Sequence, residues 1–221
     1  MKKTLVSCSI CMMCLASFAQ TPILSIGSSS SLAQSSNSLQ PRYSFFEIGY
    51  SEATLDEDGY EIDDWKGFSA SVVSGKKVSQ TNPVYLEYGI GLDYLNYSEK
   101  DGVKMEYKFF TIDVPVRFLY DIPIDNFHLR PYAGVGLKGH VSGKLKLSYS
   151  GDSETFDLFS SNDMDDFGLE DPFKRVQAYY SLGACVQFNK VVFGISYNKD
   201  MSEIADETFF SSVNFKLGFS F

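Results

Sequence analysis

The last nine residues of the chain alternate without a break between two kinds of side chain. From Val213 to Phe221, every odd position is large and apolar, and every even position is small or polar. Because successive side chains of a β-strand point to opposite faces, this segment would have one apolar face and one polar face. A strand in a water-soluble sheet would look the same, so the number of such segments along the chain decides the fold class.

The same alternation recurs in about eight segments of roughly ten residues, a length that crosses a bilayer as a tilted strand. The predicted strands cover about 43–54, 65–75, 84–97, 105–120, 129–149, 174–188, 191–199 and 213–221. A lipid-exposed strand must leave no backbone group unpaired, which only a closed barrel achieves. The sequence therefore predicts an all-β fold, an eight-stranded antiparallel up-and-down transmembrane β-barrel.

The start of the chain has the features of a secretory signal peptide. Lys2 and Lys3 precede an apolar stretch that runs from Leu5 to Phe18, and a small-x-small cleavage site ends at Ala19. A membrane anchor is the alternative, but this stretch is too short to cross a hydrocarbon core of about 30 Å. We therefore expect residues 1–19 to be removed by cleavage.

Two further segments follow the predicted cleavage site. Residues 20–41 are rich in serine and have little to bury, which predicts a flexible amino-terminal segment, and residues 42–221 form the predicted barrel domain. Three of the four cysteines lie in the predicted signal peptide, so Cys185 alone would remain, and it has no partner for an internal disulfide.

Charge and hydropathy exclude some classes of function. The chain has 19 lysine and arginine residues against 28 aspartate and glutamate residues, and cleavage would remove two of the lysines. Since phosphate binding needs a basic surface, this balance argues against nucleic acid as a partner. The mean hydropathy of −0.11 is low for a helical membrane protein but expected for a barrel, in which half of each strand faces a polar interior.

Short and long connections alternate along the chain, which predicts the orientation of the barrel. Both ends should be periplasmic, and the longer connections at 55–64, 98–103, 149–172 and 200–207 should be external loops. These loops contain most of the acidic residues, including Asp200. Carboxylate clusters can bind calcium, but the segment 163–168 lacks the spacing of a calcium loop. We expect a solvated acidic surface that contacts protein or polysaccharide, with no metal site and no cofactor.

The polar face of the predicted strands would line the lumen. An eight-stranded barrel is only wide enough for its own side chains, so inward charges should pair with each other. The predicted inward set is Glu47, Glu87, Asp93, Asp113, Arg117, Arg130, Lys138, Lys144, Lys146 and Lys216. By height, Glu87, Arg117 and Arg130 should share one level, and Glu47 and Lys216 another. A lumen plugged by ion pairs is the favoured interpretation, and a gated ion path is the alternative.

Catalysis is a weaker alternative, because some small outer-membrane barrels modify lipid A. His140 is predicted to point inward near Lys138 and an inward Ser142, but no carboxylate is placed to orient its imidazole. His128 falls at a periplasmic turn, on the wrong side for lipid in the outer leaflet. Cys185 is predicted to be a small inward filler rather than a nucleophile. The sequence therefore favours a non-enzymatic protein.

Several segments resemble the outer-membrane β-barrel domain proteins of Bacteroidota, the PorT-like group, whose barrels are compact like those of OmpX and OmpA. The matching segments are the Ala19-Gln20 junction, 112–118, 130–136 and 219–221. The resemblance implies an outer-membrane location and insertion by the barrel-assembly machinery through the aromatics Phe219 and Phe221. In many barrels a glycine lies five residues before the last aromatic, whereas Lys216 occupies that position here.

The leading hypothesis is a non-enzymatic barrel that is anchored by outer-membrane lipid and contacts partners through its external loops. The resemblance also leaves open an accessory role in protein secretion, because the family includes a secretion component alongside proteins of unknown role.

Overall fold

The computed structural model describes residues 42–57, 59–101, 103–149, 152–162 and 172–221. The predicted signal peptide and the serine-rich segment lie outside this part of the chain, so both stay predictions. The strands are β1 (Arg42–Glu57), β2 (Tyr60–Lys77), β3 (Val84–Asp101), β4 (Val103–Tyr120), β5 (Ile122–Ile124), β6 (Phe127–Tyr149), β7 (Asp152–Asp157), β8 (Val176–Phe188), β9 (Val191–Asp200) and β10 (Thr208–Ser220).

Eight of these strands form a closed antiparallel ring. Each pairs with the next along the chain, β4 pairs with β6, and β10 returns to pair with β1. The predicted eight-stranded up-and-down barrel is therefore confirmed, with every predicted strand present. The other two strands are short: β5 pairs with the start of β6 and β7 with its end. No helix in the described ranges is long and apolar enough to cross a membrane.

The outer face of the ring is a belt of exposed apolar side chains, as the alternation predicts. Its largest members on the first five ring strands are Phe46, Ile48, Phe68, Tyr88, Ile90, Leu92, Tyr94, Phe110, Ile112, Val114, Phe118, Val135 and Leu137. On the last three they are Phe188, Phe193, Ile195, Phe215 and Phe219. Such a belt would be unstable in water and is stable against hydrocarbon.

The first strands are much longer than a bilayer requires. At about 3.3 Å per residue, an 18-residue strand such as β3 spans about 60 Å, roughly twice a hydrocarbon core of about 30 Å. The excess lies at the end of the barrel opposite the two termini, which we call the hairpin end. The predicted loops 55–64 and 98–103 are consequently wrong as loops, since Leu55 pairs with Ile62 and Ser98 with Glu106.

The long connection after β6 also contains regular structure. It was expected to be a polar external loop over 149–172, but its first part is β7, which folds back and pairs with β6 from Lys144 to Tyr149. Leu158 then turns into the barrel and is 1 % exposed. The tight turn expected after Phe188 is present, with Asn189 at φ 53°, a conformation that asparagine tolerates in two-residue hairpins.

A β-bulge in β6 reverses the faces of its outer half. Phe110 pairs with Ser142 and Thr111 with His140, so Val141 has no partner residue on β4. One extra residue moves every later side chain to the opposite face. The prediction that Lys144, Lys146 and Ser142 point inward is therefore wrong. All three lie on the outer face of the sheet, and Leu145, which was expected outside, is 1 % exposed inside the barrel.

Three tyrosine rings lie inside the barrel directly against a glycine of the neighbouring strand. A Cβ atom at any of these glycines would overlap the ring, so no other residue fits without displacing it. The cross-strand pairs are Tyr43 with Gly75, Tyr179 with Gly136, and Tyr132 with Gly183.

Candidate functional site

The lumen is filled in three layers, and the first is an apolar cluster at the end of the barrel that holds the termini. Its buried members are Tyr43, Phe45, Val73, Tyr85, Leu119, Tyr132, Cys185 and Val192. Phe45 and Val73 have no exposed surface, and Tyr85 is 1 % exposed. Side chains packed this closely leave no passage for ions at this level. Cys185 is one small member of this cluster, as a filler would be.

A buried ion pair lies at the edge of this cluster. Arg117 Nη1 donates to Glu87 Oε1 at 2.9 Å, and the side chains are only 6 % and 4 % exposed. The hydroxyl of Tyr43 donates to the other oxygen of Glu87 at 3.1 Å. The Arg117 guanidinium also lies 5.0 Å from the ring centre of Tyr132. The two charges therefore pair with each other, while Arg117 Nε is buried without a hydrogen-bond partner among the described residues.

Arg130, which was expected to share the level of Glu87, has a different partner. Its Nε lies 3.3 Å from Asp121 Oδ1, and its guanidinium lies 4.7 Å from the ring centre of Tyr43. His128 Nδ1 lies 2.9 Å from the same oxygen of Asp121. Asp121 directly follows β4 and folds back over the end of the barrel, so strand position alone would not have indicated it.

The remaining predicted pair joins the first and last strands of the ring. Lys216 Nζ lies 3.7 Å from Glu47 Oε2, and Ser71 donates to the same oxygen at 3.3 Å. Both charged side chains are largely buried. This ion pair lies where β10 closes the barrel against β1.

The second layer is polar and contains a small cavity of about 80 Å³. Asp93 and Asp113 line it from neighbouring strands, together with Lys138 and Lys216. Asp113 Oδ1 is buried without a hydrogen-bond partner among the described residues. Arg117 also lines this cavity, which is too small to form a wide pore.

Lys138 forms an ion pair with a residue that was expected to lie in an external loop. Its Nζ lies 2.7 Å from Asp200 Oδ1, and the Asp200 side chain has no exposed surface. Asp200 was expected in a solvated external loop, but it is the last residue of β9 and points into the lumen. The Lys138 ammonium also lies 5.1 Å from the ring centre of Tyr179.

His140 is held by hydrogen bonds on both ring nitrogens. Its Nε2 lies 2.6 Å from Gln177 Oε1, and the Gln177 amide nitrogen donates to the carbonyl of Ser202 at 3.2 Å, which fixes the amide orientation. Nε2 therefore carries the proton, and Nδ1 accepts from the Thr111 hydroxyl at 2.9 Å. Ser142, which was predicted to lie near this histidine inside the barrel, is on the opposite face of β6.

The third layer, at the hairpin end, is a second apolar cluster that the sequence did not predict. Its buried members are Ala53, Leu55, Trp65, Phe109, Leu145, Leu158, Ile204 and Phe210. Trp65 stacks on Tyr97 at 5.0 Å and meets Phe210 edge-on at 5.1 Å. Leu158 and Ile204 come from connecting segments, which fold inward to complete the cluster. We call this the outer cluster.

The described part of the chain contains no group of three or more histidine, cysteine, aspartate and glutamate side chains arranged to hold a metal ion. The acidic hairpin tips are exposed and point away from the lumen. At the far end of β10, Phe219 and Phe221 are exposed on the outer surface, at 51 % and 77 %. Their role in insertion stays a prediction.

Residues 21–221 match a family model described as outer membrane protein beta-barrel domain. Among solved structures, the chain is similar to the attachment invasion locus protein Ail of Yersinia pestis, with 20 % identity over 81 % of this chain and 98 % of that chain, and a TM-score of 0.45.

It is also similar to neisserial surface protein A, with 12 % identity over 80 % and 97 % of the two chains, and to the outer membrane enzyme PagL, with 11 % identity over 77 % and 97 %. Both have a TM-score of 0.45. None of the curated proteins matches this chain.

Proposed function

We propose that this chain, which belongs to the outer membrane protein beta-barrel domain family, is a non-enzymatic surface protein with a plugged lumen and external hairpins that contact a partner. Its location is the outer membrane. Outer-membrane lipid would anchor the exposed apolar belt, and the barrel-assembly machinery would insert the chain through its terminal aromatics.

The observation that carries this proposal is the layered lumen. Two apolar clusters enclose a polar layer in which Glu87, Arg117, Lys138 and Asp200 form short ion pairs. Neither cluster leaves room for a hydrated solute, so a structural role suits the interior better than transport. The external hairpins carry a group of acidic residues that stay accessible to a partner.

The hairpin end supports a role in surface contacts. Strands β1 to β4 continue well beyond the apolar belt, and the outer cluster packs between them, so the hairpins form a supported platform rather than loose loops. Their exposed acidic residues are Glu57, Glu61, Asp63, Asp64 and Glu99. A partner for this surface would carry complementary positive charge, on a protein or on a cation-bridged polysaccharide.

A pull-down from native outer membrane tests this proposal. The full chain would be compared with a variant in which Glu57, Glu61 and Asp63 are changed to Gln or Asn, and with the control Asp125→Asn, which removes an exposed acidic residue at the opposite end of the barrel. A surface protein should retain one partner with the native chain and with the control but lose it with the tip variant. Equal retention by all three proteins, or no retained partner, would contradict the proposal.

An accessory role in secretion is the second candidate, and the segments 112–118 and 130–136, which resemble the PorT-like barrels of Bacteroidota, favour it. In the same pull-down, an accessory of secretion would retain several other proteins of a secretion machine in fixed stoichiometry.

Catalysis is tested separately with His140→Ala. The proposal expects the lipid A mass spectrum of cells carrying this variant to match that of cells with the native chain. A change in the acylation pattern would indicate that the barrel is an enzyme.

A further inference from the structure

A row of lysines crosses the outer face of the barrel just above the apolar belt. The strand register places Lys66 of β2 beside Asn96 of β3, Asn96 beside Lys108 of β4, and Lys108 beside Lys144 of β6. We call Lys66, Lys108 and Lys144 the lysine row. The bulge at Val141 brings Lys144 to this face, so the row could not be read from the alternation alone.

The row directly below it consists of exposed aromatic side chains. Phe68, Tyr94 and Phe110 are also neighbours across β2, β3 and β4, and they are 65 %, 39 % and 40 % exposed. Lys66 and Lys108 are each two residues nearer the hairpin end than Phe68 and Phe110 on the same strands, a rise of about 7 Å. Aromatic residues occupy the boundary between hydrocarbon and headgroups, so the lysine row lies at the level of the headgroups.

Positive charge is concentrated here and is only partly neutralised. Lys108 and Lys144 are directly opposite each other on paired strands, an arrangement that is destabilising for like charges. Glu106 forms an ion pair with Lys108 at 3.0 Å and lies 3.9 Å from Lys104. Its hydrogen bond with the Lys108 ammonium lowers the pKa of the Glu106 carboxyl, so it stays ionised.

The other lysines of this surface have no such partner. Lys66 and Lys144 form no ion pair with a described side chain, although Glu52 and Asp157 are their cross-strand neighbours. The Asp157 carboxylate instead accepts the backbone N–H of Phe159 at 2.9 Å. Lys146 lies one step further out on β6 and opposite Glu106, which adds to the positive charge.

We propose that the lysine row binds the phosphate group of an outer-leaflet glycolipid whose acyl chains lie along Phe68, Tyr94 and Phe110. An anion between Lys108 and Lys144 would relieve their mutual repulsion, and Lys66 would bind a second phosphate of the same headgroup. The aromatics below offer the apolar contact that a free phosphate cannot use. The ligand is therefore a lipid with an anionic headgroup rather than a soluble anion.

Native mass spectrometry of the purified full chain in detergent tests this site. The probes are diphosphorylated lipid A, the same lipid after enzymatic removal of both phosphates, and inorganic phosphate as competitor. We expect the native chain to bind the phosphorylated lipid at least tenfold more tightly than the dephosphorylated lipid, and inorganic phosphate at millimolar concentration to displace little of it.

The test variant is Lys108→Gln with Lys144→Gln, and the matched control is Lys76→Gln with Lys190→Gln, which removes two exposed lysines at the opposite end of the barrel. Because each basic side chain near an anionic lipid surface adds to the attraction, loss of both should weaken binding of the phosphorylated lipid about thirtyfold. The control should bind like the native chain. A Lys108→Arg, Lys144→Arg variant should retain binding, which separates lost charge from misfolding.

Equal affinity for the two lipids would overturn the proposal, as would an equal loss in the test and control variants. If inorganic phosphate displaced the bound lipid at the same concentration as free lipid did, the site would be a simple anion site. That result would also contradict the proposal.

Discussion

Breaking the buried ion pair between Arg117 and Glu87 should destabilise the barrel far more than breaking an exposed pair of the same length. The Arg117 Nη1 to Glu87 Oε1 distance is 2.9 Å, and both side chains are at most 6 % exposed. At an effective dielectric constant of about 20, this distance corresponds to a gross attraction of about 6 kcal/mol, much of which offsets the desolvation of the two ions.

The single variants Arg117→Met and Glu87→Gln should therefore each lower the free energy of unfolding by about 3–5 kcal/mol. Arg117→Met removes the partner of a buried charge, and Glu87→Gln neutralises it. The double variant should cost less than the sum, which gives a coupling energy of about 2–3 kcal/mol. Among the described residues, the Glu87 carboxylate left by Arg117→Met would keep the hydroxyl of Tyr43 as its hydrogen-bond partner.

Lys174 and Glu203 provide the matched control. Their charged atoms are 3.0 Å apart, but the side chains are 56 % and 36 % exposed, so their coupling energy should be below about 1 kcal/mol. The assay is guanidinium unfolding of the barrel in phospholipid vesicles. Trp65, the single tryptophan of the chain, reports it by fluorescence from within the outer cluster. Equal coupling energies for the two pairs would refute the reasoning that burial makes the Arg117 pair strong.

Three further predictions concern the lumen packing. Gly136→Ala should cost about 1–3 kcal/mol in the same assay because its Cβ would overlap the Tyr179 ring. Gly139→Ala, whose Cβ would have only the carbonyl oxygen of Ile112 within 4 Å, should cost markedly less, and equal costs would contradict the packing. Deletion of Val141 should leave the heat-modifiable gel migration of the folded barrel intact, because it removes only the extra residue of the bulge and keeps Thr111 opposite His140, with Lys144 still outside; loss of that migration would contradict the bulge. Phe210→Ala should lower the unfolding free energy by about 3–5 kcal/mol through loss of outer-cluster packing, and an unchanged midpoint would show that the cluster contributes little.

The ring itself could be predicted because each strand repeats a two-residue pattern with an apolar face. Phe110, Ile112 and Val114 on β4 show this pattern clearly, and all three are exposed on the outer face. The predicted inward position of Glu47 and Glu87 follows from the same alternation, and both are buried.

The pattern fails where the backbone departs from strict alternation. A bulge such as that at Val141 leaves no mark in the sequence, since a valine suits either face of a strand. The inward position of Leu145 and the outward position of Lys144 depend on that single unpaired residue.

The hairpin ends were mistaken for loops because their charged and aromatic residues no longer alternate simply. Trp65 and Tyr97 pack together inside the barrel mouth, while acidic residues face solvent from the same hairpins. Likewise, Asp121 and Asp200 lie at strand ends, where only the fold shows that they turn inward to Arg130 and Lys138.

The central claim, a barrel whose lumen is filled from end to end, is tested most directly by electrical recording. Purified full-length protein would be folded into vesicles, its migration checked on gels, and the vesicles fused with a planar bilayer. The layered lumen predicts no resolved current steps across the bilayer at moderate voltage. Stable, repeated openings of uniform size would contradict it, because they require a continuous aqueous path through both apolar clusters.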